Sequence, residues 1–284
     1  MNSMSYENIN VNNIVIDDTL QKSTSGSSLQ WYDIKYKYNQ NDEVHLDDMI
    51  LTTPVFKLFR YGVPQIGQFY KQDKDRTFLK IPISDSDEDK LFTETLCKFD
   101  TYVKAYIYNK ITQVNKSFHF TSSVRTPMDK NEDGDESDNG QNKTNPKYCK
   151  FKFISDFNSG VIKTKVYHGP QKTLLDINPV TMTNIENCIK FKSSIKMNIQ
   201  VDKLWISKSF SNYRCGLTYK IVQLLVIPEP LPILKSLLDS DKFVDFNNNS
   251  ETDTFLSQDA SVPNFEIDLN DFSDSESDND YTEE

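Results

Sequence analysis

Apolar and polar residues alternate along much of this chain, and the period of alternation changes at a few defined places. Asp33–Tyr38 repeats every second residue, with Ile34, Tyr36 and Tyr38 on one face, which predicts a strand. Residues 51–61 form a second extended apolar run, punctuated by Pro54 and ended by Gly62 and Pro64, and residues 77–83 a third. From about Asp87 to Tyr108 the period lengthens. Leu91, Phe92, Leu96, Phe99, Val103, Tyr106 and Ile107 recur at steps of three and four, and Asp87, Glu88 and Asp89 suit the positive end of a helix dipole.

Beyond residue 146 the short period returns. Lys147–Ser155 and Val161–His168 flank D-F-N-S-G, a hairpin pattern. Thr183, Asn184, Ile185 and Glu186 form an S/T-x-x-E capping box that predicts a short helix through Ile189. Ile195, Met197, Ile199 and Val201 alternate as a strand. The phase slips near Asp202–Lys203, after which Leu204 and Ile206 are the apolar pair, as a bulge produces. Gly216–Ile227 is the most apolar strand and is stopped by Pro228 and Pro230, with a short helix over 231–238 beyond it. The elements add up to a β-rich α+β fold.

Charge divides the chain. The net value is −10. The segment 239–284 has 15 acids against the single Lys242, so all that precedes it is net basic. Residues 126–146 hold six acids and two lysines without an apolar period, which predicts a disordered acidic insert. Between residues 147 and 238 there are 14 Lys/Arg and five Asp/Glu. A basic body beside its own acidic tail is the main compositional feature. The Ser- and Asn-rich stretch 1–30 has no apolar signal region and is expected to be disordered. Cys97, Cys149, Cys188 and Cys215 are too dispersed for a disulfide framework or a zinc site. No stretch approaches the roughly 18 apolar residues of a membrane span, so an intracellular location is expected.

Catalysis finds no support in the pattern. His45, His119 and His168 lie far apart, no nucleotide-binding glycine motif or hydrolase motif is present, and the Asp47–Asp48 pair is of the kind that is usually just solvated. The expectation is a binding protein without enzyme activity, resident metal or cofactor.

Three clusters mix cations with aromatic rings, the combination that tracks a single nucleic-acid strand by phosphate contact and base stacking. If Cys149, Phe151 and Phe153 face the core with Ile162, Thr164 and Val166, the opposite face shows Tyr148, Lys150, Lys152, Lys163, Lys165 and Tyr167. An ordinary solvated sheet face fits the same pattern. If the phase slip is real, Trp205 points away from Leu204 and Ile206 and joins Lys203, Lys208, Phe210, Tyr213 and Arg214, although the usual burial of tryptophan favours the core. The third cluster sets Lys57, Arg60 and Lys71 beside Tyr61, Phe69 and Tyr70, where loop packing is the alternative. In the tail, Phe265, Ile267, Leu269 and Phe272 stand among acids as anchors for a partner's basic, apolar patch. Ser273, Ser275 and Ser277 each precede an acid and permit phosphorylation.

The order L-T-T-P-V-F-K-L-F-R-Y-G-V, amphipathic helix, K-Y-C-K-F-K-F, V-D-K-L-W-I-S and Y-R-C-G-L-T-Y-K-I-V-Q-L-L-V resembles the single-stranded DNA-binding replication proteins of large eukaryotic DNA viruses, the African swine fever virus type among them. The resemblance spans about Trp31 to Pro230 outside the insert. It implies an OB-fold-like five-stranded barrel elaborated with helices, in a binding domain over 31–238 that carries the insert and is followed by the disordered tail. It also implies sequence-nonspecific binding of single-stranded DNA at the site of viral DNA replication, with replication proteins recruited through the tail. Self-association on the strand is left open. The rival readings are an acidic interaction module or chaperone for basic partners and, more remotely, a virion structural protein.

Overall fold

A computed structural model describes residues 3–23, 28–40, 43–67, 69–111, 117–127, 145–156, 158–209 and 212–229. Along these the chain forms β1 (Met4–Ser5), β2 (Ile14–Ile16), β3 (Gln21–Lys22), β4 (Leu29–Gln40), β5 (Glu43–Asp48), β6 (Ile50–Thr52), β7 (Phe56–Lys57), β8 (Phe78–Pro82), α1 (Asp87–Ile111), β9 (Ser117–Thr121), β10 (Val124–Arg125), β11 (Tyr148–Phe153), β12 (Lys165–His168), β13 (Thr173–Leu174), α2 (Met182–Cys188), β14 (Ser194–Ser209) and β15 (Asn212–Ile227).

The organising piece is the antiparallel ribbon of β14 and β15. Along the free edge of β14 lie β7, β6 and β4 in succession, each antiparallel to it. Along the free edge of β15 lie β9, β11 and β12, each parallel to it. β8 pairs outside β11. Among the described residues this sheet is open, running from β1 to β10. The closed five-stranded barrel expected from the resemblance is not what these strands make, because each ribbon edge is shared by several short strands in turn.

Residues Ile195, Met197, Ile199 and Val201 are all buried, and the ladder slips between Val201 and Lys203 where the pattern predicts a bulge. The helix is also where the periodicity puts it. Phe92, Leu96, Phe99, Val103 and Ile107 of α1 are buried against the sheet, with the Phe92 ring meeting those of Tyr6, Phe56 and Phe151. Leu91, expected on the same stripe, is exposed. The helix start is fixed by Asp89, which accepts hydrogen bonds from the Ser84 backbone N–H (2.8 Å) and hydroxyl (2.6 Å).

Three expectations need correction. The described residues of the stretch 1–30 are not a disordered N-terminus. Tyr6, Ile14 and Ile16 are core residues, β2 pairs with β4, and the Tyr102 hydroxyl of α1 donates to the Ile14 carbonyl at 3.0 Å. A few apolar residues among many Ser and Asn suffice when another element supplies the opposite wall.

The pair β11 and β12 is not a hairpin, since both run parallel to β15 and therefore in the same direction. The predicted hairpin is confined to the turn between them, where Ser155 bridges Ile162 and the Asp156 N–H donates to the Val161 carbonyl (2.8 Å) and the Lys163 N–H to the Ile154 carbonyl (2.6 Å). Buried Thr164 stitches its base, accepting from the Ile154 N–H (3.0 Å) and donating to the Ile221 carbonyl (2.6 Å).

Finally, α2 is capped by Thr181 with Asn184, not by Thr183 with Glu186. Thr183 and Glu186 are occupied by Arg76, a fully buried guanidinium that also holds Asp73.

Candidate nucleic-acid interface

Pleating gives the ribbon two sides. Leu204 and Ile206 turn into the core with Cys215, Tyr219 and Ile221. The bulge at Asp202 therefore puts Lys203 and Trp205 on the other side, both half-buried. Trp205 lies opposite Gly216 on β15 and opposite Trp31 on β4. A Cβ at position 216 would come within 3.0 Å of the indole Cζ2 and 3.1 Å of the Thr121 carbonyl oxygen. Glycine is thus what lets the Trp205 ring lie on the strand. Lys203 faces Asp33 across the ladder and holds its Nζ 4.4 Å from the Trp31 ring centre. Two tryptophans paired across the ladder and a lysine over one of them put aromatic and cationic groups together on this side.

The same side continues along the ribbon. Arg214 is exposed toward one end. Lys220 follows, paired with Asp202 at 3.0 Å and lying beside Lys152 of β11. Exposed Lys165 stands next to Gln223 on β12, and exposed Lys196 opposite Leu225. On β14's other flank, exposed Lys57 sits opposite Ser194 and pairs with Glu229 at 3.3 Å.

At the outer edge, β8 and β11 carry a second cationic and aromatic cluster. Lys150 Nζ lies 3.9 Å from the Phe78 ring centre and Lys80 Nζ 5.1 Å from that of Tyr148. The Tyr61 ring packs on Tyr148 and that of Tyr70 on Phe78.

The predicted residues thus separate into groups. Lys203, Trp205 and Arg214 lie on one side of the ribbon, and Lys150, Lys152 and Lys165 share their side of the sheet. Tyr148 is a correction. It is on the outward side but buried at 3% exposure, because Tyr61 and Lys80 cover it. Tyr213 is another, since it packs against the core one residue out of phase with Arg214. Lys208 is the ladder partner of Tyr213. Arg60 and Tyr61 are engaged locally: Arg60 donates to the Asn145 side chain and the Tyr61 hydroxyl to the Pro146 carbonyl (2.8 Å). Lys163 pairs with Asp156 at 3.5 Å, Tyr167 is half-buried on β12, and Lys71 is exposed in the loop before β8. Phe210, nearly all of the acidic insert, and the tail with Phe265, Ile267, Leu269 and Phe272 lie outside the described residues.

Trp31, Lys80, Phe78 and Lys220 were not anticipated as site residues. Trp31 was legible, because a strand that buries Ile34 and Tyr36 must send residue 31 to the other face. The others depend on which strands become neighbours.

Asp100 of α1 and the thiols of Cys149 and Cys215 are buried among the core residues. Burial raises the Asp100 carboxyl above its ordinary 3.8, against hydrogen bonds from the Ser123 hydroxyl, the Ser123 N–H and the Ser122 hydroxyl. Burial likewise pushes the Cys215 thiol up to about 12 and raises that of Cys149. Among the described residues no group of His, Cys, Asp and Glu could hold a metal ion, and no helix is long and apolar enough to cross a membrane.

No family model matches the chain. Over 187 residues it is 25% identical to an uncharacterized protein of Acanthamoeba polyphaga mimivirus, in an alignment covering 57% of this chain and 45% of that one. The chain therefore spans less than half the length of that relative. The crystal structure of gp2.5, a single-stranded DNA-binding protein encoded by bacteriophage T7, superposes on 72% of this chain and 100% of its own, with a TM-score of 0.38 and 11% identity. A likeness that slight assigns nothing to this chain. These likenesses do not bear out the African swine fever virus type to which the sequence motifs point.

Proposed function

We propose that this protein binds single-stranded DNA without sequence preference, through the outward side of the β14–β15 ribbon and its flanking strands. One observation carries the reading: Trp31, Lys203 and Trp205 form a half-buried aromatic and cationic patch with Gly216 as its floor. Half-buried rings present a flat face to a base at little entropic cost, and Arg214 and Lys196 on the same side supply phosphate contacts. The residues offer stacking and charge, not an array of donors and acceptors aimed at base edges, so sequence reading is not expected.

On this reading the protein acts in viral DNA replication inside the infected cell, without catalysis or cofactor. The segment 239–284, carrying 15 acids and Phe265, Ile267, Leu269 and Phe272, competes as a polyanion for the basic side and recruits replication proteins.

Titration of oligothymidylates against the full chain and against a chain lacking residues 239–284 tests this. Binding is expected to quench Trp31 and Trp205 fluorescence, to weaken as salt rises, and to tighten on tail removal, most at low salt. If the truncated chain binds no oligonucleotide at low salt, the reading fails and an acidic interaction module takes its place.

A further inference from the structure

The most exposed large apolar side chain among the described residues is Phe191, at 69%. It occupies the tip of the turn Lys190–Phe191–Lys192, just before β14 begins, and it belongs to no part of the core cluster. A single exposed apolar residue needs no explanation by itself. This one is held out by a rigid turn. Lys192 takes a left-handed φ of 64°. The Lys190 N–H donates to the hydroxyl of fully buried Ser193 (2.9 Å), and the Ser193 N–H to the Lys190 carbonyl (2.9 Å). The Lys192 N–H donates to the Leu58 carbonyl (2.7 Å), and the Leu58 N–H donates to the Ser193 carbonyl in return (2.9 Å). These bonds tie the backbone of the turn to the segment after β7. Lys192 Nζ lies 5.7 Å from the Phe191 ring centre, which repeats more loosely the Lys203–Trp31 arrangement at the other end of the ribbon.

We propose that Phe191, with Lys190 and Lys192, is a second stacking platform for single-stranded DNA. The strand would enter over Trp31 and Trp205, follow β14, and end on Phe191. The proposal deepens the reading above and rests on it. Exposed Lys196 and Lys57 lie near the Phe191 end, and Lys203 at the tryptophan end. From Ser194 to Trp205 is about 11 residues, or at most about 36 Å at about 3.3 Å each. At the stacked spacing of about 3.4 Å that length holds about 10 nucleotides, and fewer if the strand is stretched, within the range of about 4–16 known for single-strand binders.

The test is fluorescence anisotropy of labelled oligothymidylates of about 4 to about 20 nucleotides with the full chain, Phe191→Ala and Phe191→Trp. Phe191→Ala is expected to weaken oligonucleotides long enough to reach both platforms by about 5- to 150-fold and to leave the shortest unaffected. Phe191→Trp is expected to hold the long ones at least as tightly as the natural residue. Equal affinity for Phe191→Ala at every length, or an equal loss at every length, overturns the second platform while leaving the tryptophan patch standing. Absence of binding at low salt both by the natural chain and by the chain lacking residues 239–284 removes both.

Discussion

Gly216→Ala probes the placement of Trp205 directly, because the added methyl goes where the indole now rests. The new Cβ would stand 3.0 Å from the Trp205 Cζ2, 3.2 Å from its Cε2 and 3.1 Å from the Thr121 carbonyl oxygen. The ring is half-exposed and can swing outward. The carbonyl belongs to β9, whose pairing with β15 runs through this residue, and it has nowhere to go. Overpacking of this kind costs about 1–3 kcal/mol. Replacing glycine within a strand returns about 0.5–1 kcal/mol of backbone entropy. The net expectation is a loss of about 0–2.5 kcal/mol, or a Tm lower by up to about 10 °C for a body of this size. Thermal melts and urea titrations measure the loss. With Trp31→Phe as background Trp205 is the sole tryptophan, since the chain has only two, and its emission is expected to shift to the red as the ring leaves the strand. An unchanged or raised Tm together with unmoved emission would refute the proposition that Gly216 forms the floor under Trp205.

Three further outcomes follow from the structure. Trp31→Ala is expected to weaken oligothymidylate binding by about 1–3 kcal/mol at constant fold, and Lys203→Ala to lower the salt slope by about one ion; if both leave affinity and slope untouched, the patch is not the interface. Asp73→Asn is expected to flatten the acid limb of stability. Burial would raise the Asp73 carboxyl, but hydrogen bonds from Arg76 and Thr183 and the guanidinium charge hold it below its ordinary 3.8. A value depressed by folding gives a contribution that is complete above the unfolded value and is lost as pH falls through the folded one. Denaturant midpoints between about pH 7 and pH 2 should therefore fall less steeply for Asp73→Asn, from a lower start; identical acid limbs would show the pair to be inert.

What sequence alone determined is what period and phase determine. Alternation fixed which side of β14 is buried, and the three- and four-residue steps fixed the buried stripe of α1 apart from Leu91; the slip at Asp202 allowed Trp205 to leave the core against the usual burial of tryptophan, and the structure decided for the outward side. These are local properties: the next residue along a pleat or helix turn decides them. Tertiary structure decided which strands became neighbours. The segments around D-F-N-S-G carry a hairpin pattern, yet β15 accepts both in the same direction, and only Thr164 betrays the join. Tyr148 has the phase of a surface residue and is buried because Tyr61, 87 positions earlier in the chain, settles over it. Trp31 meets Lys203 and Trp205 only because β4 lies along β14. Contacts between strands distant in sequence rest on whole-sheet packing, which no local period encodes, and the candidate interface is made of such contacts.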